Sequence, residues 1–257
     1  MGQWQTMIQT DSISKTYSTH LFEKKIPALN DISLHVNKGE VFGIIGPNGA
    51  GKSTLIKILL GFIQSDSGSV TINGLAPSDT RSRSNIGYLP ESPCLYPQLT
   101  LIDHLRFSSR VTGDPFDKSW CKNLLDKVDL AHVSRKPLAK YSKGMVQRAA
   151  LAYALFHNPD ILILDEPMSG LDPVGRHLVV QLIKEYHQKG HTILFCSHIL
   201  SDVENICDKV GLMNHGSLVK MLTPDAVSPG QQPPEQYSIP LERQFFETLA
   251  EQEQHTP

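Results

Sequence analysis

The sequence contains no long hydrophobic stretch. Its apolar runs, such as residues 161–164 and 193–196, are far shorter than the roughly 20 residues that a membrane-spanning helix needs. The N-terminal residues lack the basic and apolar segments that are typical of a secretion signal. We therefore expect a protein that works in the cytosol, and any role at a membrane should be peripheral.

Paired cysteines and a strong net charge are also missing. The four cysteines include no Cys-x-x-Cys pair, so the sequence indicates neither a disulfide framework nor a zinc site. The formal net charge is -2, which provides no global basic field for nucleic acid. The chain has 257 residues, of which 40% are hydrophobic and 19% are charged. This composition is that of an ordinary globular protein with a substantial core.

The order of the predicted elements favours an α/β fold. Apolar alternation and apolar runs predict the strands, and buried helices follow them. The predicted elements are strands within residues 31–45, a helix over 53–60, a helix over about 142–156, a strand from Ile161, a helix over about 174–188 and a strand from Thr192. Strands that alternate with helices predict a mainly parallel sheet.

A helical region interrupts this alternation. Between Gly87 and Lys140 the pattern becomes helical, and Thr100 and Asp103 resemble a capping box. We expect an inserted α-helical subdomain over about residues 88–155. This subdomain should be inserted in a single domain that spans residues 6–222.

The C-terminal part of the chain is predicted to contain a hairpin, a linker and a last short helix. Residues 209–221 indicate a hairpin that turns at 214–216, and residues from 223 onward form a linker rich in Pro, Gln, Ser and Gly. A last short helix starts near Pro240, and its apolar face should dock on the domain. That face would comprise Leu241, Phe245, Phe246 and Leu249.

A phosphate-binding loop follows the predicted strand that ends at Ile45. Its glycines let successive backbone N–H groups point into one concavity, and the start of the next helix adds partial positive charge. Lys52 should reach the β- and γ-phosphates, and Ser53 should hold Mg²⁺. The alternative is a glycine turn that only caps a helix. The loop comprises Gly46, Pro47, Asn48, Gly49, Ala50, Gly51, Lys52, Ser53 and Thr54.

Two carboxylates, Asp165 and Glu166, end a second apolar strand. The carboxyl ends of parallel strands are where ligands bind. Asp165 can support the magnesium shell, and Glu166 can polarise an attacking water as a general base. On its own, such a pair is more often a strand end that meets solvent, so the catalytic interpretation depends on the phosphate loop.

A third motif leads to a family. Residues 141–148 read Tyr-Ser-Lys-Gly-Met-Val-Gln-Arg. This segment resembles the signature motif of the ATP-binding-cassette (ABC) ATPases, whose usual form is Leu-Ser-Gly-Gly-Gln. Ser142 and Gly144 match that form, whereas Tyr141, Lys143 and Met145 depart from it. Ser142 could bind phosphate at a helix start, and it could equally cap that helix.

The resemblance implies further site residues. Asp172, in the loop 169–172, resembles the residue that crosses a dimer interface. His198 resembles the switch histidine that contacts the γ-phosphate, although alone it would be an ordinary surface or core histidine. Tyr17 resembles the aromatic residue that stacks on adenine, and its alternative is packing at a strand edge.

The sequence departs from the usual family pattern in the loop between the core and the helical subdomain. The family usually has Gln where this sequence has Glu91, whose carboxylate can still bind Mg²⁺ through oxygen. Glu91, the signature segment and residues 97–100 and 170–176 together resemble the bacterial type-2 export branch.

The resemblance implies a P-loop NTPase core, with an N-terminal antiparallel β subdomain and the inserted helical subdomain. Two cassettes would pair head to tail around two ATP and Mg²⁺, in a homodimer or with another cassette. They would drive a separate membrane permease from the cytosolic face, with no direct cargo or nucleic acid binding. The alternative is a soluble ABC-type ATPase that acts on DNA, ribosomes or cofactor assembly. A regulatory cassette without hydrolysis is a further alternative.

Overall fold

The structure is a computed structural model that describes residues 5–18, 25–224, 241 and 244–248. The chain divides into two compact units. Unit 1 combines the chain up to Ser84 with the chain from Thr192 onward, and unit 2 is Asn85–His191.

Strands and helices follow each other along the described chain. The strands are β1 (Thr6–Ser18), β2 (Lys25–Asn37), β3 (Val41–Ile45), β4 (Ser67–Ile72), β5 (Ile86–Leu89), β6 (Ile161–Asp165), β7 (Thr192–Cys196), β8 (Lys209–Asn214) and β9 (Ser217–Leu222). The α-helices are α1 (Lys52–Leu59), α2 (Thr80–Arg83), α3 (Leu101–Thr112), α4 (Lys118–Lys127), α5 (Lys143–Leu155), α6 (Pro173–Gln188) and α7 (Leu200–Ile206). Short 3₁₀ turns lie at Ala131–Val133 and Leu138–Lys140.

The N-terminal part of unit 1 is an antiparallel sheet in the order β2-β1-β4. Burial alternates over the second half of β2 because the sheet covers a core on one face, whereas β1 buries the adjacent residues Met7 and Ile8. Thr10 is a buried polar residue of this sheet. Its hydroxyl donates to the carbonyl oxygen of Ile32 at 3.1 Å and accepts from the backbone N–H of Leu34 at 3.0 Å. The buried hydroxyl therefore has a partner both as donor and as acceptor, as buried polar groups usually do.

The second sheet of unit 1 has the order β7-β3-β8-β9. Strand β3 runs parallel to β7 and β8, and β9 returns antiparallel to β8. Every residue of β3 and β7 is buried, as is typical of the centre of a parallel sheet. His215 and Gly216 both have positive φ, 45° and 79°, and they form the turn predicted at residues 214–216.

Unit 2 contains the parallel pair β5 and β6 together with helices α3 to α6. The predicted capping box at the start of α3 is confirmed. The hydroxyl of Thr100 accepts from the backbone N–H of Asp103 at 3.1 Å, and the Asp103 carboxylate accepts from the backbone N–H of Thr100 at 3.3 Å. Helices α5 and α6 lie within a residue of their predicted bounds, because their apolar periodicity and caps are clear.

The predicted α/β fold class is confirmed. The boundaries predicted for the helical subdomain, about 88–155, and for the whole domain, 6–222, stay predictions. None of the helices in the described part of the chain is both long and apolar enough to span a membrane.

The prediction for the C-terminal helix is partly wrong. Residues 241 and 244–248 are helical, Leu241 is buried, and its backbone N–H donates to the Glu204 carboxylate at 3.3 Å. Phe246, predicted to face the domain, is 45% exposed, whereas Thr248 is buried. Leu241 and Thr248 lie seven residues apart and so share a face that Phe246 does not. Leu249 and linker residues 225–240 lie outside the described residues.

Candidate active site

The glycine-rich loop of unit 1 joins the end of β3 to the start of α1. It approaches neighbouring backbone too closely for side chains at two positions. A Cβ atom at Gly46 would lie 2.2 Å from the carbonyl oxygen of Met213, and one at Gly51, where φ is 103°, would lie 2.6 Å from that of Ala28. Only glycine fits these positions, so the packing of unit 1 fixes the path of the loop.

Lys52 is the first residue of α1, and its side chain turns back over this loop. Its ammonium donates to the carbonyl oxygens of Gly46 at 2.6 Å and Pro47 at 3.0 Å, and the residue is 8% exposed. Ser53 follows on the exposed side of the helix start, and the first turn of α1 has no acidic residue. A helix start, glycine-loop amides and a held ammonium together form an environment suited to phosphate.

His198 belongs to the same unit and follows β7. The preceding residue, Ser197, is fully buried, and its backbone N–H donates to the carbonyl oxygen of Ile44 in β3 at 3.2 Å. The Ser197 hydroxyl also accepts from the backbone N–H of Ile199 at 3.0 Å. These bonds fix the backbone on both sides of His198, whose side chain is exposed.

Tyr17 lies near the end of β1, opposite Ile26 of β2. It is 39% exposed, and the ammonium of Lys15 lies 6.0 Å from the centre of its ring. The exposed ring is compatible with stacking on a base and equally with its place at a strand end. Its role as an adenine contact stays a prediction.

In unit 2, Asp165 ends β6 and Glu166 follows it, and the two are only 5% and 9% exposed. Glu166 has a φ of 51°, a left-handed conformation that costs a non-glycine residue on the order of 1 kcal/mol. The Glu166 carbonyl oxygen accepts from the backbone N–H of Ser169 at 3.0 Å. Residues held in this way often belong to functional sites.

Ser142 is the N-cap residue of α5, and its hydroxyl accepts from the backbone N–H of Met145 at 3.2 Å. The first turn of α5 carries Lys143 and no acidic residue. Gly144 lies close to the loop before α6, because a Cβ atom there would be 3.3 Å from the carbonyl oxygen of Gly170. Capping and close packing thus fix the start of α5.

Asp172 and Glu91 complete the predicted set in unit 2. Asp172 is the exposed N-cap residue of α6, and its carboxylate accepts from the backbone N–H of Gly175 at 2.7 Å. Glu91 is exposed shortly after β5. Unit 1 therefore holds the phosphate loop, His198 and Tyr17, and unit 2 holds the carboxylates and the signature residues. The closure of these sets around one nucleotide stays a prediction.

The predicted magnesium ligands all carry oxygen donors. In the parts of the chain that the structure describes, no group of three or more His, Cys, Asp or Glu residues is arranged to hold a metal by itself. Ser53 in unit 1 and Glu91 in unit 2 are both exposed, and each carries an oxygen atom, the type of ligand that Mg²⁺ prefers. Their role as magnesium ligands stays a prediction.

The sequence analysis assigned no role to Gln147. This side chain of α5 is 3% exposed, and its Nε2 atom donates to the carbonyl oxygens of Glu166 and Pro167, both at 3.3 Å. The available signal was its helical spacing, since Gln147 is a polar residue in line with the buried positions Leu151 and Ala154.

Comparisons with known proteins agree with one another. The ABC transporter family model matches residues 29–169. An uncharacterized ABC transporter ATP-binding protein of Synechocystis sp. is 41% identical over 218 residues, which cover 83% of this chain and 62% of that protein. The chain thus spans less than two thirds of the length of this relative.

Two further matches cover most of the matched protein. Lantibiotic transport ATP-binding protein SrtF of Streptococcus pyogenes is 37% identical over 213 residues, covering 83% of this chain and 89% of SrtF. A solved structure of an ATP-binding subunit of an ABC transporter has a TM-score of 0.75 and 32% identity, over 84% of this chain and 90% of that one.

Proposed function

The chain belongs to the ABC transporter family, and on that premise we propose that it binds and hydrolyses ATP to drive a separate membrane permease. The observation that carries the proposal is the loop between β3 and α1. There the Lys52 ammonium lies 2.6 Å from the carbonyl oxygen of Gly46, beside a helix start without acidic residues. This arrangement concentrates positive charge and N–H donors where a triphosphate would lie.

Lys52 would contact the β- and γ-phosphates and neutralise charge that develops during transfer. Ser53 and Glu91 are oxygen donors for Mg²⁺, with Asp165 supporting its hydration shell, and the ion would neutralise phosphate charge. The backbone amides of residues 46–54 would cradle the phosphates, and the Tyr17 ring would stack on adenine. In these roles the Lys52 ammonium, the Mg²⁺ ion and the backbone N–H donors would each face negatively charged phosphate oxygens.

Glu166 would act as the general base. It would orient a water molecule and take its proton while the water attacks the γ-phosphorus atom, and ADP would leave with the oxygen that bridged the β- and γ-phosphates. Its burial and fixed backbone support this role, because catalytic groups work best when their geometry is set in advance. His198 would donate a hydrogen bond to a γ-phosphate oxygen from the turn that Ser197 fixes.

We propose that two such chains, or this chain and another cassette, complete each other's sites. Ser142 and Gly144 of one chain would contact the ATP held by the phosphate loop of the other, with Asp172 at the interface. The start of α5 supports this role because it joins a helix N-terminus to the cationic side chain of Lys143. ATP would then stabilise the closed pair, and hydrolysis would remove that preference.

The partner would be an integral membrane permease that meets the chain on the cytosolic side, through the surface near residues 91–100. Export is the proposed direction. It rests on the type-2 features of the sequence and on the resemblance to a lantibiotic transport protein. The cargo would contact the permease and not this chain.

Two assays test this proposal. Purified protein should release phosphate from ATP when Mg²⁺ is present and stop when the metal is chelated. Affinity purification in mild detergent should recover a multi-helix membrane protein that is lost when the bait is an unrelated ATPase. Absence of hydrolysis would contradict the activity, and recovery of ribosomes or DNA instead of a membrane protein would contradict the transport role.

A further inference from the structure

We propose that Gln147 is a positioning residue for Glu166 and that it connects the start of α5 to the catalytic carboxylate. The inference rests on the proposed function, which assigns the role of general base to Glu166. Gln147 itself would touch neither ATP nor water. It would act by fixing the backbone from which the Glu166 side chain extends.

The first argument is the hydrogen bonding of the Gln147 amide. The side chain is 3% exposed, and Nε2 donates to the carbonyl oxygens of Glu166 and Pro167, both at 3.3 Å. An amide nitrogen has two protons to donate, and these two carbonyls match that number. A buried donor that lost such acceptors would be destabilising, so the position of the side chain is strongly determined.

The second argument is the conformation of Glu166. Its φ of 51° lies in a region that residues other than glycine seldom adopt. Such a conformation persists only where the surroundings hold it. The Glu166 carbonyl oxygen accepts from both the Ser169 backbone N–H at 3.0 Å and the Gln147 amide. Gln147 therefore contributes a side-chain contact to the peptide that sets the direction of Glu166.

The third argument is the packing of Lys143 and Gly144, the first two residues of α5. Gly144 lies so close to Gly170 that a Cβ atom would be 3.3 Å from its carbonyl oxygen. The Lys143 stem covers Gly170, where a Cβ atom would lie 2.8 Å from the Cδ and Cε atoms of Lys143. Residues 143–147 and 166–170 thus form one packed element, which we call the α5 junction.

The α5 junction implies communication between the two ATP sites of a pair. Ser142, directly before the junction, would contact ATP in the partner's phosphate loop, whereas Glu166, inside the junction, would act on ATP in the chain's own loop. A displacement at Ser142 would reach Glu166 through Gln147. Binding at one site would thereby adjust the general base of the other.

The first test is Gln147→Met, which keeps the length of the side chain and removes both donors. We expect kcat to fall on the order of tenfold, because small misplacements of catalytic groups slow the reaction strongly. The dissociation constant for ATP should stay unchanged, and the Hill coefficient for ATP should fall towards one. Wild-type kcat in this variant, confirmed as folded by its ATP binding, would overturn the inference.

The matched control is Arg148→Met. Arg148 is the next residue on α5, and its guanidinium also donates to a backbone carbonyl oxygen, that of Val128 at 2.7 Å. The hydrogen bonds of Arg148 go to Val128 and Asp129 and not to the segment that carries Glu166, so kcat should stay within about twofold of wild type, as expected when no catalytic contact is lost. An equal loss of kcat in both variants would mean that α5 merely needs anchoring.

The second test is the pH profile of Gln147→Glu. When the introduced carboxylate is ionised, it faces two carbonyl oxygens and has no proton to donate. When it is protonated, it can donate one hydrogen bond. The ratio of its kcat to that of wild type should therefore rise on acidification, while the ratio for Gln147→Met stays flat. Parallel profiles would contradict positioning by donation. The proposed function fails differently, through an inactive wild type or a fully active Glu166→Gln variant.

Discussion

The Lys52 ammonium lies 2.6 Å from the carbonyl oxygen of Gly46 and 3.0 Å from that of Pro47. The loop that precedes α1 and the first residue of α1 therefore hold each other in place. Because a buried ammonium needs polar partners, this contact also keeps the cation where phosphate oxygens could reach it.

Lys52→Ala should weaken ATP binding. Hydrogen bonds to charged groups contribute about 1.5–3 kcal/mol, so the dissociation constant should rise about tenfold to a hundredfold. Equilibrium binding of a fluorescent ATP analogue measures this change. Lys57→Ala is the control, since Lys57 lies on the exposed side of the same helix. Unchanged binding by the Lys52 variant would exclude the phosphate-loop role.

Glu166→Gln should retain ATP binding and lose hydrolysis. The amide keeps the shape of the carboxylate but cannot accept the proton of water, and loss of a general base costs about a hundredfold to ten-thousandfold in rate. A stable dimer should accumulate with ATP in size-exclusion chromatography with light scattering. Glu185→Gln, at a partly exposed carboxylate of the same unit, should hydrolyse ATP at the wild-type rate. Wild-type hydrolysis by the Glu166 variant would show that Glu166 is not the general base.

Thr100→Ala should destabilise the protein by about 1 kcal/mol, the usual effect of losing an N-cap hydroxyl. The same hydroxyl, by hydrogen bonding to Asp103, lowers the pKa of that carboxyl below its usual value. Urea unfolding measures the loss. Thr112→Ala at the exposed end of α3 is the matched control and should stay within about 0.5 kcal/mol of wild type. Equal losses of stability in the two variants would show that the capping box makes no specific contribution to stability.

Glu185 should contribute to stability at neutral pH and not in acid. Its hydrogen bonds to Lys127 first, and then to Lys189, hold the pKa of this carboxyl below its usual range. A carboxyl with a lowered folded-state pKa stabilises the fold above its ordinary pKa of about 4.3, and the effect disappears as pH falls through the folded value.

The free energy of unfolding of Glu185→Gln should accordingly lie below that of wild type at pH 7. The difference should be at most about 1 kcal/mol, because the pair is partly exposed, and it should close as the pH falls towards 3. High salt should reduce the difference at pH 7. A difference that grows on acidification would contradict this assignment of the charge.

The sequence predicted elements whose signals are local. The caps at Thr100 and Ser142 and the turn at residues 214–216 follow from residue types at fixed spacings, and the structure contains all three. Adjacent helical residues point about 100° apart, so Phe245 and Phe246 cannot both lie at the centre of one buried face. Phe246 is exposed because the buried face is the one that holds Leu241 and Thr248.

The features that sequence could not supply depend on tertiary contacts. Nothing about a glutamate after an apolar strand predicts a φ of 51°, and nothing local predicts that Gln147 meets the carbonyl oxygen of Glu166. These two residues are separated by 19 positions. Their relationship exists only because α5 packs beside the segment that follows β6, and long-range packing of this kind overrides local propensity.

The central claim, that each ATP site needs two chains, is tested most directly by mixing two inactive variants. Lys52→Ala keeps the signature residues, and Ser142→Arg keeps the phosphate loop, so each variant alone lacks both complete sites. A mixed pair would contain one complete site. We predict that each variant alone shows no single-turnover hydrolysis and that hydrolysis returns on mixing. If the mixture stays as inactive as its components, the account of a shared ATP site is contradicted.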